Sequence, residues 1–537
     1  MEPKKTENLF TLTTPLYYVN DVPHVGSAYT TMAADAVARF QRLQGKSVLL
    51  ITGTDEHGQK IERTAESLNR SPQEHCDQIV SSFESLWDKL NIQYDRFSRT
   101  TASRHAAIVK EFFGRVWDQE DIYLSQQQGW YCVACEEFKE ERELIDEKYC
   151  PIHSNKPVEW RDEQNYFFRL SKYQKQLEVL YQERPNFIQP ESRRNEVLSF
   201  VSQGLQDFSI SRLNVDWGFP VPVDPNQTIY VWFDALLGYV TALLDPDGEA
   251  TLENALSKGW PISLHLIGKD ILRFHAVYWP AMLMSADIPL PGRIFGHGFL
   301  TKDGKKMGKS LGNTLDPVEL VRQFGSDAVR YYFLKEIEFG QDGDFNLTRF
   351  INTVNADLAN DLGNLLNRTL RMAHKYFEGR IPHVSGAAIL EENPLKSYGV
   401  TLGQTVAQGY ERLAFSEVCD AILHLVQAGN KYIDEQAPWT LYKQDKLDLV
   451  ESVLYSVLES VRLAAYLLSP ITPNLSNEIY HQLGFSIDFN DKTAIEAAAS
   501  FETHALWGIL PPEQVLAEPQ PVFLRLELPE TVLSSPA

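Results

Sequence analysis

Residues 10–43 impose a strand, a tight loop and a helix, in that order. Phe10 to Thr14 is an apolar, β-branched run, and from Ala28 to Leu43 the residues Tyr29, Met32, Ala33, Ala36, Val37, Phe40 and Leu43 recur at helical spacing. Between them lies Pro15-Leu-Tyr-Tyr-Val-Asn-Asp-Val-Pro-His-Val-Gly-Ser27. Strand, short loop, helix is the opening unit of a nucleotide-binding α/β sheet. Pro23 suits the turn and Ser27 the helix cap. Gly26 lets another group approach the backbone closely. His24 and the helix amides behind it are available to a phosphate. Taken alone, a His-Xaa-Gly ahead of a helix is more often a structural turn.

The pattern repeats. Val48-Leu-Leu-Ile-Thr52 reads as a second buried strand and ends in Gly53-Thr-Asp-Glu-His-Gly58, a polar cluster where open α/β sheets place ligand groups. Helical patterns follow over about 72–90 and 102–119, so the order β-α-β-α-α predicts a parallel sheet. Strand patterns return at Thr228 to Asp234, Ser263 to Asp270 and Arg293 to Leu300, followed by the Gly/Lys-rich loop Thr301-Lys-Asp-Gly-Lys-Lys-Met-Gly-Lys-Ser310. Beyond about Asn352 only helical spacing is left, over 355–377, 403–436 and 449–468, which predicts an all-α bundle. The stretch from about Pro511 is proline-rich and either packs back or frays. At 537 residues the chain exceeds one compact core. The expected plan is a Rossmann-type parallel-sheet domain in two halves, 1–121 and 214–351, interrupted by an insertion at 122–213. An α-helical domain over 352–510 and a tail over 511–537 complete it.

The formal net charge of −22 argues against sequence-blind coating of nucleic acid, which needs a basic surface. It leaves room for an RNA recognised through a few local contacts. No apolar run approaches the roughly 20 residues that span a bilayer, so no membrane is expected. Met1 to Asn8 is polar, and a cytoplasmic protein is the expectation. Three of the five cysteines fall within nineteen positions. Cys132-Val-Ala-Cys135 and Cys150-Pro-Ile-His153 each hold two potential ligands two residues apart. Three thiolates and one imidazole suit a closed, structural, tetrahedral Zn2+. Cys76 and Cys419 read as buried thiols.

In Lys305-Lys-Met-Gly-Lys-Ser310, lysines on a glycine-containing loop can clamp a polyphosphate, or form a solvated basic loop. The glycine spacing is not that of a Walker A loop. His-Val-Gly-Ser early in the chain with Lys-Met-Gly-Lys-Ser after the last strand resembles the paired signatures of class I aminoacyl-tRNA synthetases. Pro15 to His24, Gly53 to Gly58, Tyr230-Val-Trp-Phe-Asp-Ala235, Leu266-Ile-Gly-Lys-Asp270, Phe274-His275, Trp279-Pro280, the single zinc knuckle and Asp434-Glu-Gln-Ala-Pro-Trp439 all resemble the methionyl-tRNA synthetase family. The resemblance runs to about residue 510.

The resemblance implies activation of L-methionine by ATP, with Mg2+, to methionyl-adenylate, then transfer to the terminal adenosine of methionine tRNA. Neither step needs a protein nucleophile, so catalysis is positioning and charge stabilisation. The implied catalytic residues are His24, Lys306, Lys309 and Arg212, with Gly26, Ser27 and Ser310 also on ATP. The implied methionine site comprises Leu16, Tyr18, Asp55, Trp232, Leu236, Tyr239, Ile271, Phe274 and His275. Asp55 would hold the ammonium, and aromatic edges suit the thioether. Asn360, Asn364 and Arg368, four apart on one helix face, match the family's anticodon-reading positions together with Trp439. Ser27 departs from the family, which usually ends its first signature in a second histidine. Its hydroxyl can donate to a phosphate or cap the helix, but is never cationic. No dimerising tRNA-binding barrel is appended, so a monomer is expected. Two other readings stay open: a related nucleotidyltransferase, and a tRNA-binding paralogue without catalysis.

Overall fold

The computed structural model describes residues 8–133, 136–139, 141–151, 157–307, 313–383 and 393–528. They divide into two compact units: residues 1–23, 49–88 and 93–297, and residues 24–48, 89–92 and 298–537.

The first unit is built on a six-stranded sheet. Its strands are β1 (Leu9–Tyr18), β2 (Ser47–Asp55), β3 (Arg96–Arg99), β7 (Ile188–Gln189), β12 (Leu264–Gly268) and β13 (Ile294–His297), in the order β3-β2-β1-β12-β13-β7. The ladders β1·β12, β12·β13, β13·β7 and β2·β3 are all parallel. The order reverses between β1 and β12, and the crevice at the carboxyl ends of strands beside such a reversal is where open sheets bind ligands. β1, β2 and β12 end there, at Tyr18, Asp55 and Gly268. β12 is buried throughout, as a central parallel strand must be. β3 carries no apolar run: Arg-Phe-Ser-Arg is a four-residue edge strand, and its polar sequence hides it from periodicity.

The insertion is more regular than its sequence suggests. β4 (Ile122–Cys132) pairs antiparallel with β6 (Glu159–Phe168) from Ile122↔Phe168 to Tyr131↔Glu159, and β5 (Glu137–Lys139) and β8 (Phe208–Ser209) flank them. β7 lies inside this stretch of sequence yet forms the edge of the parallel sheet. The strands β9 (Ser211–Arg212), β10 (Pro220–Val221) and β11 (Asp224–Ile229) form a small antiparallel sheet. The run Val231 to Asp234, which reads as strand, is helical over Val231–Ala235. A helix there sets Trp232 and Leu236 four residues apart on one side.

The second unit contains the helix Val25–Leu43, nearly all of it buried. It also holds a sheet of β14 (Leu300–Lys302), β15 (Lys305–Lys306) and β16 (Gly343–Phe345), and the helical region. Long helices span Pro394–Arg412, Phe415–Gln436 and Leu447–Leu468. A π-helical stretch, Asn355–Gly363, runs into the helix Asn364–Phe377. The last described residues pack back: Asn355 and Leu526 exchange two hydrogen bonds, at 2.9 and 2.7 Å. The buried Glu459 accepts from the amides of Gly508, Ile509 and Leu510.

Candidate active site

At the carboxyl ends of β1 and β2, a small cavity is lined by Leu16, Asp55, Trp232, Ala235, Leu236, Tyr239, Ile271 and His275. Seven of these eight residues are expected from sequence. Ala235 is the exception, because a small residue leaves no chemical signal: it lines the cavity by leaving space.

The walls are apolar and one end is charged. Asp55 is 4% exposed, and its Oδ1 is buried without a hydrogen-bond partner among the described residues. Burial pushes its pKa well above the usual carboxylate range, helped by the nearby Asp234 and Glu136. A buried carboxylate oxygen left without a partner is costly, so the site is set to accept a cation. At the other polar point Tyr239 Oη lies 2.8 Å from His275 Nε2, and His275 Nδ1 lies 3.1 Å from the Ile271 carbonyl. A carbonyl can only accept, so Nδ1 carries the proton and the tyrosine donates to Nε2. Burial lowers the His275 pKa to about 4, so the ring is neutral.

Two expected methionine residues stand off the lining. The Phe274 ring stacks on Trp232, with centroids 4.0 Å apart and planes at 8°, and so backs the wall. Tyr18 donates to Glu136 Oε2 at 3.1 Å. The loop after β2 is underpinned by Glu56, fully buried, which accepts from Thr54, Arg99 and Thr101 at 2.6–2.8 Å. His57 Nδ1 sits 3.0 Å from Asp234 Oδ2, and the Trp217 indole donates to the Glu56 carbonyl. Gly58 adopts φ +111°, and a Cβ there would lie 2.4 Å from Glu136 Oε1, which accepts from the Lys60 amide at 2.9 Å. Glu136 carries no signal in the sequence: its partners are 76 and 118 positions away, and only the fold brings them together.

Arg212 is buried but does not line the cavity. Its guanidinium donates to Ser209 Oγ at 2.7 Å, the Ser211 carbonyl at 2.8 Å and the Glu136 carbonyl at 3.3 Å, and lies 4.1 Å from the Tyr230 ring centroid. Cys132 and Cys150 are both buried and share one small cluster with Val158, flanked by Trp130 and Leu144. Cys135 and His153 lie outside the described residues. Among the described residues no group of three metal-ligating side chains is present.

In the second unit, the cap of the helix Val25–Leu43 is His24, and Ser27 does not supply it. His24 Nδ1 accepts from the amides of Gly26 at 3.0 Å and Ser27 at 3.3 Å. Ser27 instead sits in the first turn, 4% exposed, its carbonyl accepting from Thr31 at 2.9 Å. A serine cap was expected because Ser is a favoured cap residue; the imidazole takes the same amides with a longer reach. With Nδ1 accepting, the proton of a neutral His24 ring is on Nε2, on an exposed side chain. A Cβ at Gly26 would meet that ring at 2.8 Å. The lysine loop begins as a hairpin: β14 and β15 pair through a turn at Asp303 (φ +52°) and Gly304 (φ +72°), with Lys306 opposite Thr301. Asp-Gly in this conformation is a favoured two-residue hairpin turn. Asp344 Oδ1 accepts from the Gly304 amide at 2.7 Å. Lys306 is exposed; Lys309 and Ser310 lie outside the described residues.

In the helical region Asn360 and Asn364 are exposed. Arg368 is half-buried, donating to Asp434 at 2.8 Å and the Asn430 carbonyl at 3.1 Å. Trp439 is 40% exposed.

A family model described as tRNA synthetases class I (M) matches residues 10–156 and 140–370, and one described as the anticodon binding domain of methionyl tRNA ligase matches 401–526. The chain is 71% identical over 528 residues to a methionine–tRNA ligase of Nostoc sp., covering 98% of this chain and 99% of that protein. It is 55% identical to the chloroplastic/mitochondrial methionine–tRNA ligase of Arabidopsis thaliana, over 97% of this chain and 83% of that one. The solved structure of Mycobacterium tuberculosis methionyl-tRNA synthetase in complex with methionyl-adenylate matches at a TM-score of 0.89 and 41% identity, covering 96% of this chain and 100% of that chain.

Proposed function

The chain belongs to the methionyl-tRNA synthetase family of class I aminoacyl-tRNA synthetases, and from that premise we propose how its residues divide the work. Its activity is the ATP-dependent ligation of methionine to tRNA. The cavity with Asp55 at one end is the methionine site. The orphaned, buried Asp55 oxygen carries this reading: it takes the substrate ammonium, while Leu16, Trp232, Leu236 and Ile271 enclose the thioether. The neutral Tyr239–His275 pair closes the wall without placing a second charge there.

The methionine carboxylate oxygen attacks the α-phosphorus of ATP, and the bond to pyrophosphate breaks. The ribose hydroxyl of the tRNA then attacks the methionyl carbonyl and AMP leaves. Both steps build charge on phosphate or carbonyl oxygens. His24 Nε2–H, Lys306 and Lys309 are the donors assigned to the phosphates, with Gly26, Ser27 and Ser310 beside them through backbone or hydroxyl groups. Mg2+ accompanies ATP and shields its phosphates. Arg212 serves by fixing the Tyr230 and Glu136 segments.

Zn2+ is assigned to Cys132, Cys135, Cys150 and His153. The two described thiols fit it, being buried together in one small cluster. The metal would tie the knuckle and has no part in either step. Residues 1–121 and 214–351 are assigned to the catalytic domain, 122–213 to the insertion, 352–510 to anticodon binding through Asn360, Asn364, Arg368 and Trp439, and 511–537 to the tail. A cytoplasmic location and a monomeric state belong to the same reading. No described helix is long and apolar enough to cross a membrane.

Pyrophosphate–ATP exchange with each amino acid in turn tests the assignment. Exchange with methionine alone supports it. Absence of exchange with every amino acid, tRNA still being bound, would favour a paralogue without catalysis.

A further inference from the structure

The stripe that carries Asn360, Asn364 and Arg368 does not stop there. Steps of four residues lead on through Met372 to Tyr376 along the helix Asn364–Phe377, drifting about 40° around it at each step. At Tyr376 a second element meets it. The Tyr442 ring lies flat on the Tyr376 ring, with centroids 4.0 Å apart and planes at 17°. Tyr442 belongs to the helix Pro438–Lys443, three residues beyond Trp439 and so on the same side of it.

Trp439 is 40% exposed and Tyr442 39% exposed. An aromatic ring held in water on a folded surface forgoes the burial it would gain in a core. Of these two exposed rings, Tyr442 is braced from behind by a third, so its orientation is already fixed. Lys375, 5.4 Å from the Tyr376 centroid, and the exposed Arg371 and Lys443 bring positive charge to an acidic protein at this point. Flat aromatic faces flanked by cations are what proteins offer to unpaired nucleobases and the phosphates that join them.

We infer that Tyr442, braced by Tyr376, is a second stacking platform for an unpaired nucleobase of the tRNA anticodon loop, beside the base taken by Trp439. The inference rests on the assignment of this region to anticodon binding. A ring pinned by Tyr376 loses little freedom when a base lands on it, so the stack adds affinity to every tRNA that presents an unpaired base there. It contributes grip, and Asn360, Asn364 and Arg368 contribute base identity through edge hydrogen bonds.

The test uses the full chain and methionine tRNA, with transfer measured at varied tRNA concentration. Tyr442→Ala is expected to raise the KM for tRNA about tenfold, and Tyr442→Phe, which keeps the ring, less than twofold. In a second arm, single abasic sites are placed around the anticodon loop. One site should weaken binding to the unaltered enzyme about tenfold and weaken binding to Tyr442→Ala hardly at all. Trp439→Ala is run alongside. If Trp439→Ala raises KM and Tyr442→Ala does not, or if no abasic position loses its effect in Tyr442→Ala, the platform is wrong while the anticodon assignment stands. If neither variant changes KM, the anticodon assignment itself fails.

Discussion

Asp55 shows how one residue can be legible in sequence while its reason is not. The motif Gly53-Thr-Asp-Glu-His-Gly58 at the end of a buried strand marks a ligand end of the sheet. Only the fold shows that one carboxylate oxygen is left without a partner inside an apolar cavity. Losing a charge-assisted hydrogen bond costs about 1.5–3 kcal/mol, so Asp55→Asn should raise the KM for methionine at least about tenfold in pyrophosphate exchange. The pH dependence follows from the sign of the shift. Burial raises the Asp55 pKa, so in the free enzyme the carboxyl takes up a proton before an ordinary aspartate does. Protonated, it cannot pair with the ammonium. The methionine KM should therefore climb as pH falls, starting above the ordinary aspartate range near 4, and Asp55→Asn should lose that acid limb. Trp232 and His275 were legible for the same reason, since they fall inside contiguous matching runs, whereas Leu236, Tyr239 and Ile271 lie just beyond those runs and follow only from the resemblance. Ala235 and Glu136 were not, because one acts by its small size and the other through partners distant in sequence.

Among the elements, two glycines with positive φ separate backbone strain from crowding. At Gly304, φ is +72° and nothing lies within 4 Å of a built Cβ. Gly304→Ala should cost only the backbone term, about 1 kcal/mol. At Gly58, φ is +111° and the Cβ would press on the Glu136 carboxylate. Gly58→Ala should cost more, about 2–3 kcal/mol, and should also raise the methionine KM, because the loop it distorts begins at Asp55. Thermal midpoints with exchange kinetics check both. For the loop beyond this hairpin, Lys309→Ala is expected to lower adenylate formation far more than methionine binding, since a donor to developing phosphate charge acts chiefly in the transition state. Equal losses would assign it to ground-state binding. The insertion illustrates the limit of periodicity. β4 reads Ile-Tyr-Leu-Ser-Gln-Gln-Gln-Gly-Trp-Tyr-Cys, polar on both faces in its middle, because it forms a ribbon with β6 rather than the side of a core. A strand of that kind is specified by its pairing partner and leaves little pattern of its own.

For the whole molecule, the parallel sheet and the helical region were legible because each repeats its period over long stretches. The switch near residue 352 is a change from mixed to purely helical spacing. The return of the tail was not legible, as it depends on Glu459 and Asn355 capturing distant backbone groups. Acid sensitivity is a property at this scale. His105 and His275 are buried and neutral, their pKa values lowered by burial to about 3 and about 4, and burial drives His265 lower still than usual. The unfolded chain protonates them near 6.5. Between that value and the lowered ones, the unfolded state binds more protons, so stability is full above about 6.5 and falls as pH drops toward 4. Burial raises the Asp327 carboxyl to about 6, which works in the opposite direction, so the histidine contribution is read as the fall in urea midpoint between pH 7.5 and 4.5 that is lost in His105→Gln.

The account turns on a buried carboxylate that waits for an ammonium group at one end of a small apolar cavity. The most direct measurement compares the binding of L-methionine with that of its analogue lacking only the amino group, by calorimetry, in the unaltered enzyme and in Asp55→Asn. The account predicts strong discrimination in the unaltered enzyme and near-equal binding of the two in Asp55→Asn. Discrimination that survives the substitution undiminished would contradict it.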